Sequence, residues 1–276
     1  MVAKSFAGAC ALVVWVLSTI AAFALPPTTG ILARTLMVKR GDARGTIFSI
    51  DIDQREYWVT AKHFITGAAR PPYGSVTDKS VTVQLLKAGS VKEDWMTVDF
   101  KVLDPGVDLD ILVLAAANAI LQNPILPGPT PAVGATIGDD CEFLGFPHGG
   151  ASRVTVGNVR GWLAFAKHCT ISAVISESGT WVLDGINNDG FSGGPVLIGS
   201  GREQKILAVV SRYMPEQSDV LPRNTPKDSE SHPSPEIVNL NSGLIFATAI
   251  EPAVEAIRKN PIGPVRRSEL KRPHEP

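Results

Sequence analysis

Asn187-Asn188-Asp189-Gly190-Phe191-Ser192-Gly193-Gly194-Pro195-Val196 is the stretch on which the reading of the chain turns. One Ser stands among three glycines, and an apolar, β-prone run follows. Glycines open backbone conformations that a Cβ forbids. A turn built this way can push a hydroxyl outward while aiming successive backbone N–H groups at one point. Donors preorganised at such a point stabilise a developing oxyanion. A lone Ser hydroxyl is a weak nucleophile, so it needs a base, and the base needs a third group to orient it. The rest of the chain should therefore supply a His and a carboxylate, each beside a strand.

Both are present. Trp58-Val59-Thr60-Ala61-Lys62-His63 sets a His directly after a β-prone run, and Asp108-Leu109-Asp110-Ile111-Leu112-Val113-Leu114 sets an Asp at the head of a buried-strand pattern. The order is His63, Asp110, Ser192, the order of chymotrypsin-type enzymes and not of subtilisins or α/β-hydrolases. Gly-Phe-Ser-Gly-Gly-Pro resembles the nucleophile loop of trypsin-like serine peptidases. Val-Thr-Ala-Lys-His resembles their His segment and Asp-Ile-Leu-Val-Leu their Asp segment. Asp184 together with Asn188-Asp189-Gly190-Phe191-Ser192 is similar to the loop of the HtrA/Deg-type branch. The resemblance runs over residues 40–258.

In these roles His63 is the general base, Asp110 holds the imidazole and Ser192 attacks. Asp108 is the alternative carboxylate, because two residues earlier means the same face of a strand. Asp110 is preferred, since the apolar run begins directly after it and offers a desolvated site. Asp104 precedes Pro105 and reads as turn chemistry. The resemblance puts the oxyanion donors on the backbone N–H groups of Gly190 and Ser192. It also matches Ser211 to a Ser whose hydroxyl reaches the catalytic Asp, and Ile186 to the floor of the specificity pocket, with Arg212 and Tyr213 at its wall. No charge stands at Ile186, so small or medium apolar side chains are the expected preference, because an unpaired Lys or Arg is costly to bury. Phe191 stands where zymogen-activated digestive members carry an Asp, which argues against their activation mechanism.

The chain has 276 residues, 44% hydrophobic, with 25 glycines and 21 prolines. That length suits one large module or two barrels sharing a core. The net charge of −1 gives no case for a nucleic-acid partner. No metal and no cofactor is implied; the partner implied is a protein or peptide substrate. Lys4 followed by the uncharged apolar run Phe6–Leu25, with Ala22-Phe23-Ala24 at its end, reads as a signal peptide over residues 1–25. An uncleaved signal-anchor is the rival, and the only route to a membrane. Either way the protein is exported, to the periplasm or outside the cell, or tethered at the membrane.

Residues 36–118 alternate in short runs, such as Val81, Val83, Leu85 and Val98, Phe100, Val102. That is the period of half-buried antiparallel strands, and no long helical pattern intervenes. The fold class is all-β, a barrel or a sandwich on the pattern alone. The resemblance implies two antiparallel six-stranded barrels with the site between them. The first barrel is expected over 36–122, a Pro-rich linker over 123–135 and the second barrel over 136–258. Expected strands of the second include Val154–Val159, and Pro252 opens a short C-terminal helix. Residues 214–242, rich in Pro, Ser and charge, read as a long exposed loop. Residues 262–276 read as a disordered tail, with no room for a PDZ domain. Cys141 and Cys169 are expected either to pair as a disulfide or to stand as buried free thiols.

The leading function is a serine endopeptidase. The alternatives are a catalytically inactive double barrel acting as a binding module, another acyl hydrolase, and a membrane-anchored scaffold acting through residues 214–242.

Overall fold

Alternation along the strands sorts the apolar side chains onto two faces. In the computed structural model, the described residues are 28–266 without 69, 88–92, 122–129, 133, 157–158 and 221–235. The expected leader of residues 1–25, most of the expected linker, the centre of the 214–242 segment and the expected tail beyond 266 lie outside them. A short helix α1 (Thr29–Arg34) leads into β1 (Thr35–Arg40), β2 (Ala43–Ile52) and β3 (Arg55–Thr60); helix α2 (Lys62–Thr66) and strands β4 (Ser80–Leu86), β5 (Trp95–Leu103) and β6 (Leu112–Ala116) follow. The six strands close as a barrel in the order β1-β2-β3-β6-β5-β4, every pairing antiparallel. Ile47, Trp58, Val81, Val83, Phe100, Leu112 and Leu114 fill its interior. Their strand neighbours Phe48, Ile50, Tyr57, Ile111 and Val113 face the other way, into a second core shared with the rest of the chain. Period two thus makes a barrel that is apolar inside and also apolar on the side that meets its partner.

The second half begins with the edge strand β7 (Thr130–Pro131) and then β8 (Asp140–Gly145). A hairpin of β9 (Ser152–Val156) and β10 (Val159–Leu163) forms its own two-stranded sheet. It is followed by β11 (Phe165–Ile175), β12 (Thr180–Asp184), β13 (Pro195–Ile198), β14 (Lys205–Val220) and β15 (Glu236–Ala249). The order β13-β8-β11-β12-β15-β14 closes through the β13–β14 pairing, so this too is a six-stranded antiparallel barrel, with β7 added parallel to β14. Phe143, Ile171, Leu183, Phe191, Val196 and Val210 pack inside it. Helix α3 (Glu251–Lys259) has Pro252 in its first turn and buries Ala253, Val254 and Ile257 against the core between the barrels.

Three expectations need correction. Val154–Val159 is not one barrel strand; it straddles β9 and β10 of the separate hairpin. Residues 214–220 and 236–242 are not loop but the outer halves of β14 and β15, paired from Pro215–Asn241 out to Val220–Glu236. The ladder accommodates Pro215 through a register shift between Tyr213 and Pro215, the irregularity where a strand tolerates a proline. Residues 262–266 of the expected tail are fixed to the first barrel. The Arg266 guanidinium binds Asp51 at 2.6 Å and Glu56 at 2.5 Å, and Glu56 is fully buried. A buried carboxylate without a counter-charge is strongly unfavourable, and Arg266 supplies the charge. Cys141 and Cys169 face each other across β8 and β11 and form a disulfide.

Candidate active site

Asp110 lies just before β6 and is 1% exposed. Its carboxylate is the N-terminal partner of α2: Oδ1 accepts the His63 backbone N–H at 2.8 Å, while Oδ2 lies 2.7 Å from the His63 ring Nδ1. The Ser211 hydroxyl donates to the same Oδ2. Three donors converge on one buried carboxylate. An Nδ1 that donates to Asp110 leaves Nε2 as the free lone pair of the neutral ring. Two features of α2 fix the imidazole in addition. Gly67, at φ +77°, ends the helix with its N–H on the His63 carbonyl at 2.7 Å. Lys62, whose side chain is wholly buried, runs the other way to Asp104 and to the Gly106 and Gly74 carbonyls. Asp104 also accepts from the Val76 and Gly106 N–H groups. Asp104 is therefore more than a turn residue: with Lys62 it locks the loop that leads to Asp110. Asp108, the alternative carboxylate, is exposed and makes no bond to His63.

The turn that carries Ser192 belongs to the second barrel but is anchored on the first. Thr46 of β2 donates its hydroxyl to the Gly190 carbonyl at 2.7 Å, accepts from the Phe146 N–H at 3.3 Å, and gives its own N–H to the Ser192 carbonyl at 2.9 Å. The Thr46 carbonyl receives the Thr60 hydroxyl at 2.8 Å. Nothing in the local sequence marks Thr46, which sits 144 positions from Gly190. The glycines are required by approach as well as by φ. A Cβ on Gly190 (φ +102°) would stand 2.1 Å from the Phe146 carbonyl oxygen, and one on Gly193 (φ +87°) 2.1 Å from the Thr46 carbonyl oxygen.

In a trans peptide the N–H points opposite to the preceding C=O. The Asp189 carbonyl is held by the His148 N–H at 2.6 Å, and the Phe191 carbonyl by the Gly194 N–H at 2.8 Å. These two bonds turn the Gly190 and Ser192 N–H groups the other way, and among the described residues neither has a protein acceptor. The Ser192 hydroxyl itself donates to the Ser211 carbonyl at 3.0 Å, and no hydrogen bond joins it to His63. The turn is stitched to β14 next to Ser211 by Gly193 N–H to Val210 O and Val210 N–H to Gly194 O, both 2.8 Å.

The expected pocket residues scatter. Ser211 is buried at the Asp110 carboxylate. Ile186 is 60% exposed, so its side chain is not the covered floor of a pocket. Lys167, on β11, donates at 2.7 Å to both the Ile186 carbonyl and the Asn188 side chain, and its ammonium sits 5.2 Å from the centre of the Phe191 ring. Partial burial pushes the Lys167 ammonium below the usual lysine range. Arg212 lines a cleft that it shares with Tyr73, Leu109, Asp110, Ser211 and Phe246; Tyr213 and Ile186 do not line it. The Tyr73 phenol is pushed up from its ordinary range, chiefly by burial and also by the Asp110 charge, with the Ser211 hydrogen bond and Arg212 opposing.

No family model and no curated protein matches the sequence. Solved structures do match the coordinates. The thermostable serine protease AL20, from an extremophilic microorganism, superposes with a TM-score of 0.53 at 12% identity, over 82% of this chain and 95% of that one. The chain has the fold of the trypsin-like serine proteases. The active form of the M. tuberculosis protease Rv3671c matches at a TM-score of 0.48 and 18% identity, over 94% of both chains. The HtrA-type protease AlgW, solved with a tripeptide, matches at 0.49 and 16% identity, over 83% of this chain. The match spans 60% of the length of AlgW.

Proposed function

We propose that this chain is a serine endopeptidase that works through His63, Asp110 and Ser192 and passes through an acyl-enzyme. The observation that carries the reading is a run of contacts: Asp110 binds the His63 ring and the Ser211 hydroxyl, the Ser211 carbonyl accepts the Ser192 hydroxyl, and among the described residues the Gly190 and Ser192 N–H groups have no protein acceptor. For attack the Ser192 hydroxyl leaves the Ser211 carbonyl for His63 Nε2. His63 takes the hydroxyl proton as Oγ attacks the scissile carbonyl. The Gly190 and Ser192 N–H groups receive the oxyanion, and His63 then protonates the leaving amine. Asp110 stabilises the imidazolium without itself taking the proton. Departure of the hydroxyl frees the Ser211 carbonyl to accept a substrate backbone N–H, so the peptide adds as a strand at the open edge of β14.

For the residue before the cut bond we propose small or medium apolar side chains. The Lys167 ammonium, bonded to the Ile186 carbonyl and Asn188 beside the Ser192 turn, opposes a second cation. For localisation we propose export or membrane tethering through residues 1–25, on the apolar run alone.

A second reading, an inactive double barrel that binds peptides, is favoured by one observation: the Ser192 hydroxyl rests on Ser211 and not on His63. A fluorophosphonate probe separates the two. Stoichiometric labelling of the wild type that is lost in Ser192→Ala supports the peptidase, and unlabelled pure wild type supports the binding module.

A further inference from the structure

Arg212 differs from Arg34 and Arg266, which carboxylates hold. The Arg34 guanidinium is paired with Asp51, and that of Arg266 with Asp51 and Glu56. The Arg212 guanidinium is paired with no carboxylate among the described residues, and its Nε is buried with no hydrogen-bond acceptor. It lies over the Phe246 ring at 4.8 Å, its cross-strand neighbour on β15. A cation taken out of water without an anion is unfavourable, and stacking on a ring offsets only part of that.

The space in front of it is a cleft with hydroxyls on its walls. Ser178, Thr180, Thr248, Tyr73 and Leu109 are among the residues that line it. Two charges of opposite sign to Arg212 border it. Asp110 is already engaged by His63 and Ser211, and Asp108 is exposed on the rim, where water screens it. The cleft shares Asp110 and Ser211 with the proposed catalytic site, so a peptide crossing Ser192 along the edge of β14 must pass its mouth.

We infer that this cleft is a subsite for an acidic substrate side chain near the scissile bond, with the Arg212 guanidinium as its counter-ion. This rests on the endopeptidase reading. The stacked guanidinium is planar and held in place, so little freedom is lost when a carboxylate pairs with its fork, and charge-assisted bonds of this kind are the strong ones. The same cation turns away Lys and Arg, so specificity arises from repulsion as well as attraction. The preference belongs to Arg212 and is separate from the apolar preference proposed for the residue before the cut bond.

The test uses the full chain and octapeptide pools of random sequence in which Glu, Gln or Lys is fixed at one position in turn. Cleavage is read by mass spectrometry. At one position the wild type should cut the Glu pool on the order of tenfold faster than its Gln counterpart, with Lys slowest. Arg212→Gln should bring the Glu/Gln ratio to near one, Arg212→Lys should keep part of it, and Arg212→Glu should transfer the preference to Lys. Thermal melts and fluorophosphonate labelling of each variant separate a lost subsite from a lost fold. A wild type that cuts Glu and Gln pools equally at every position overturns the proposal, as does an unchanged ratio in folded Arg212→Gln. If the wild type is neither labelled nor active, the peptidase reading has failed by itself. Fluorescence anisotropy of the same labelled pools then decides the subsite: Glu-selective binding that Arg212→Gln removes supports it, and equal binding ends it.

Discussion

Replacing Thr46 by Val removes one hydroxyl and almost no volume, and it acts at a distance from Ser192 that the sequence does not advertise. The Thr46 hydroxyl holds the Gly190 carbonyl at 2.7 Å and is an acceptor for the Phe146 N–H at 3.3 Å, both in fully buried surroundings. Without it, Gly190 O keeps only the long 3.4 Å bond from Phe146 N–H. Leaving buried groups this poorly satisfied costs about 1–3 kcal/mol. In a protein of this size that lowers the melting temperature by about 2–4 °C per kcal/mol. The effect on catalysis should be disproportionate. The peptide that Thr46 pins is the one between the two proposed oxyanion donors, and a lost donor elsewhere lowers kcat by about 10²–10³. A loosened turn should lose part of that, so kcat is expected to fall by about 10- to 100-fold with KM little changed, the signature of an interaction made in the transition state. Thr46→Ser keeps the hydroxyl and should stay within a few-fold of wild type. Steady-state kinetics on one cleavable peptide, with thermal melts, gives both numbers. Thr46→Val with a lowered melt but wild-type kcat would refute the claim that β2 organises the oxyanion site.

Other consequences are as direct. Asp110→Asn should keep the fold and lower kcat by about four orders of magnitude, because the amide no longer holds the imidazole in the useful tautomer. Lys62→Met removes the cation from a buried pair with Asp104 and should destabilise by about 3 kcal/mol, seen as an earlier urea midpoint. The Cys141→Ala, Cys169→Ala double variant opens a link of sequence separation 28 and should cost about 3–4 kcal/mol on the loop-entropy account. Alkylation of the unfolded, unreduced protein should find neither of these two thiols.

What could be read from the sequence was whatever sits in a few consecutive residues. The glycines around Ser192 are needed where they stand, because Phe146 and Thr46 carbonyls press on them, and a glycine cluster beside a Ser is visible without a structure. His63 and Asp110 announced themselves by the strands next to them. The alternation along β4 and β5 likewise showed antiparallel strands, while the barrels themselves came from the resemblance. Thr46 was invisible, since a Thr in a strand has an ordinary explanation and its partner is far along the chain. Lys62 was passed over because lysines are rarely buried, and only the Asp104 and Gly106 contacts account for it. The loop reading of 214–242 misled at its two described ends: proline content reads as loop, while a ladder irregularity at Pro215 lets β14 and β15 continue. Residues 262–266 looked like a polar tail because the buried carboxylate that holds Arg266 lies more than two hundred positions earlier. Ile186 was matched to a pocket floor by resemblance alone, and in the structure its side chain is 60% exposed.

The account stands on a single geometric claim, that His63, Ser192 and the Gly190 and Ser192 N–H groups meet around one reacting centre. A crystal structure of the protein after reaction with a fluorophosphonate tests it directly. The account predicts phosphorus on Ser192 Oγ, the phosphoryl oxygen accepting from both N–H groups at 2.7–3.1 Å, and His63 Nε2 within hydrogen-bond reach of Oγ. A phosphoryl oxygen turned away from those amides, or a side chain still resting on Ser211 with His63 out of reach, would contradict it.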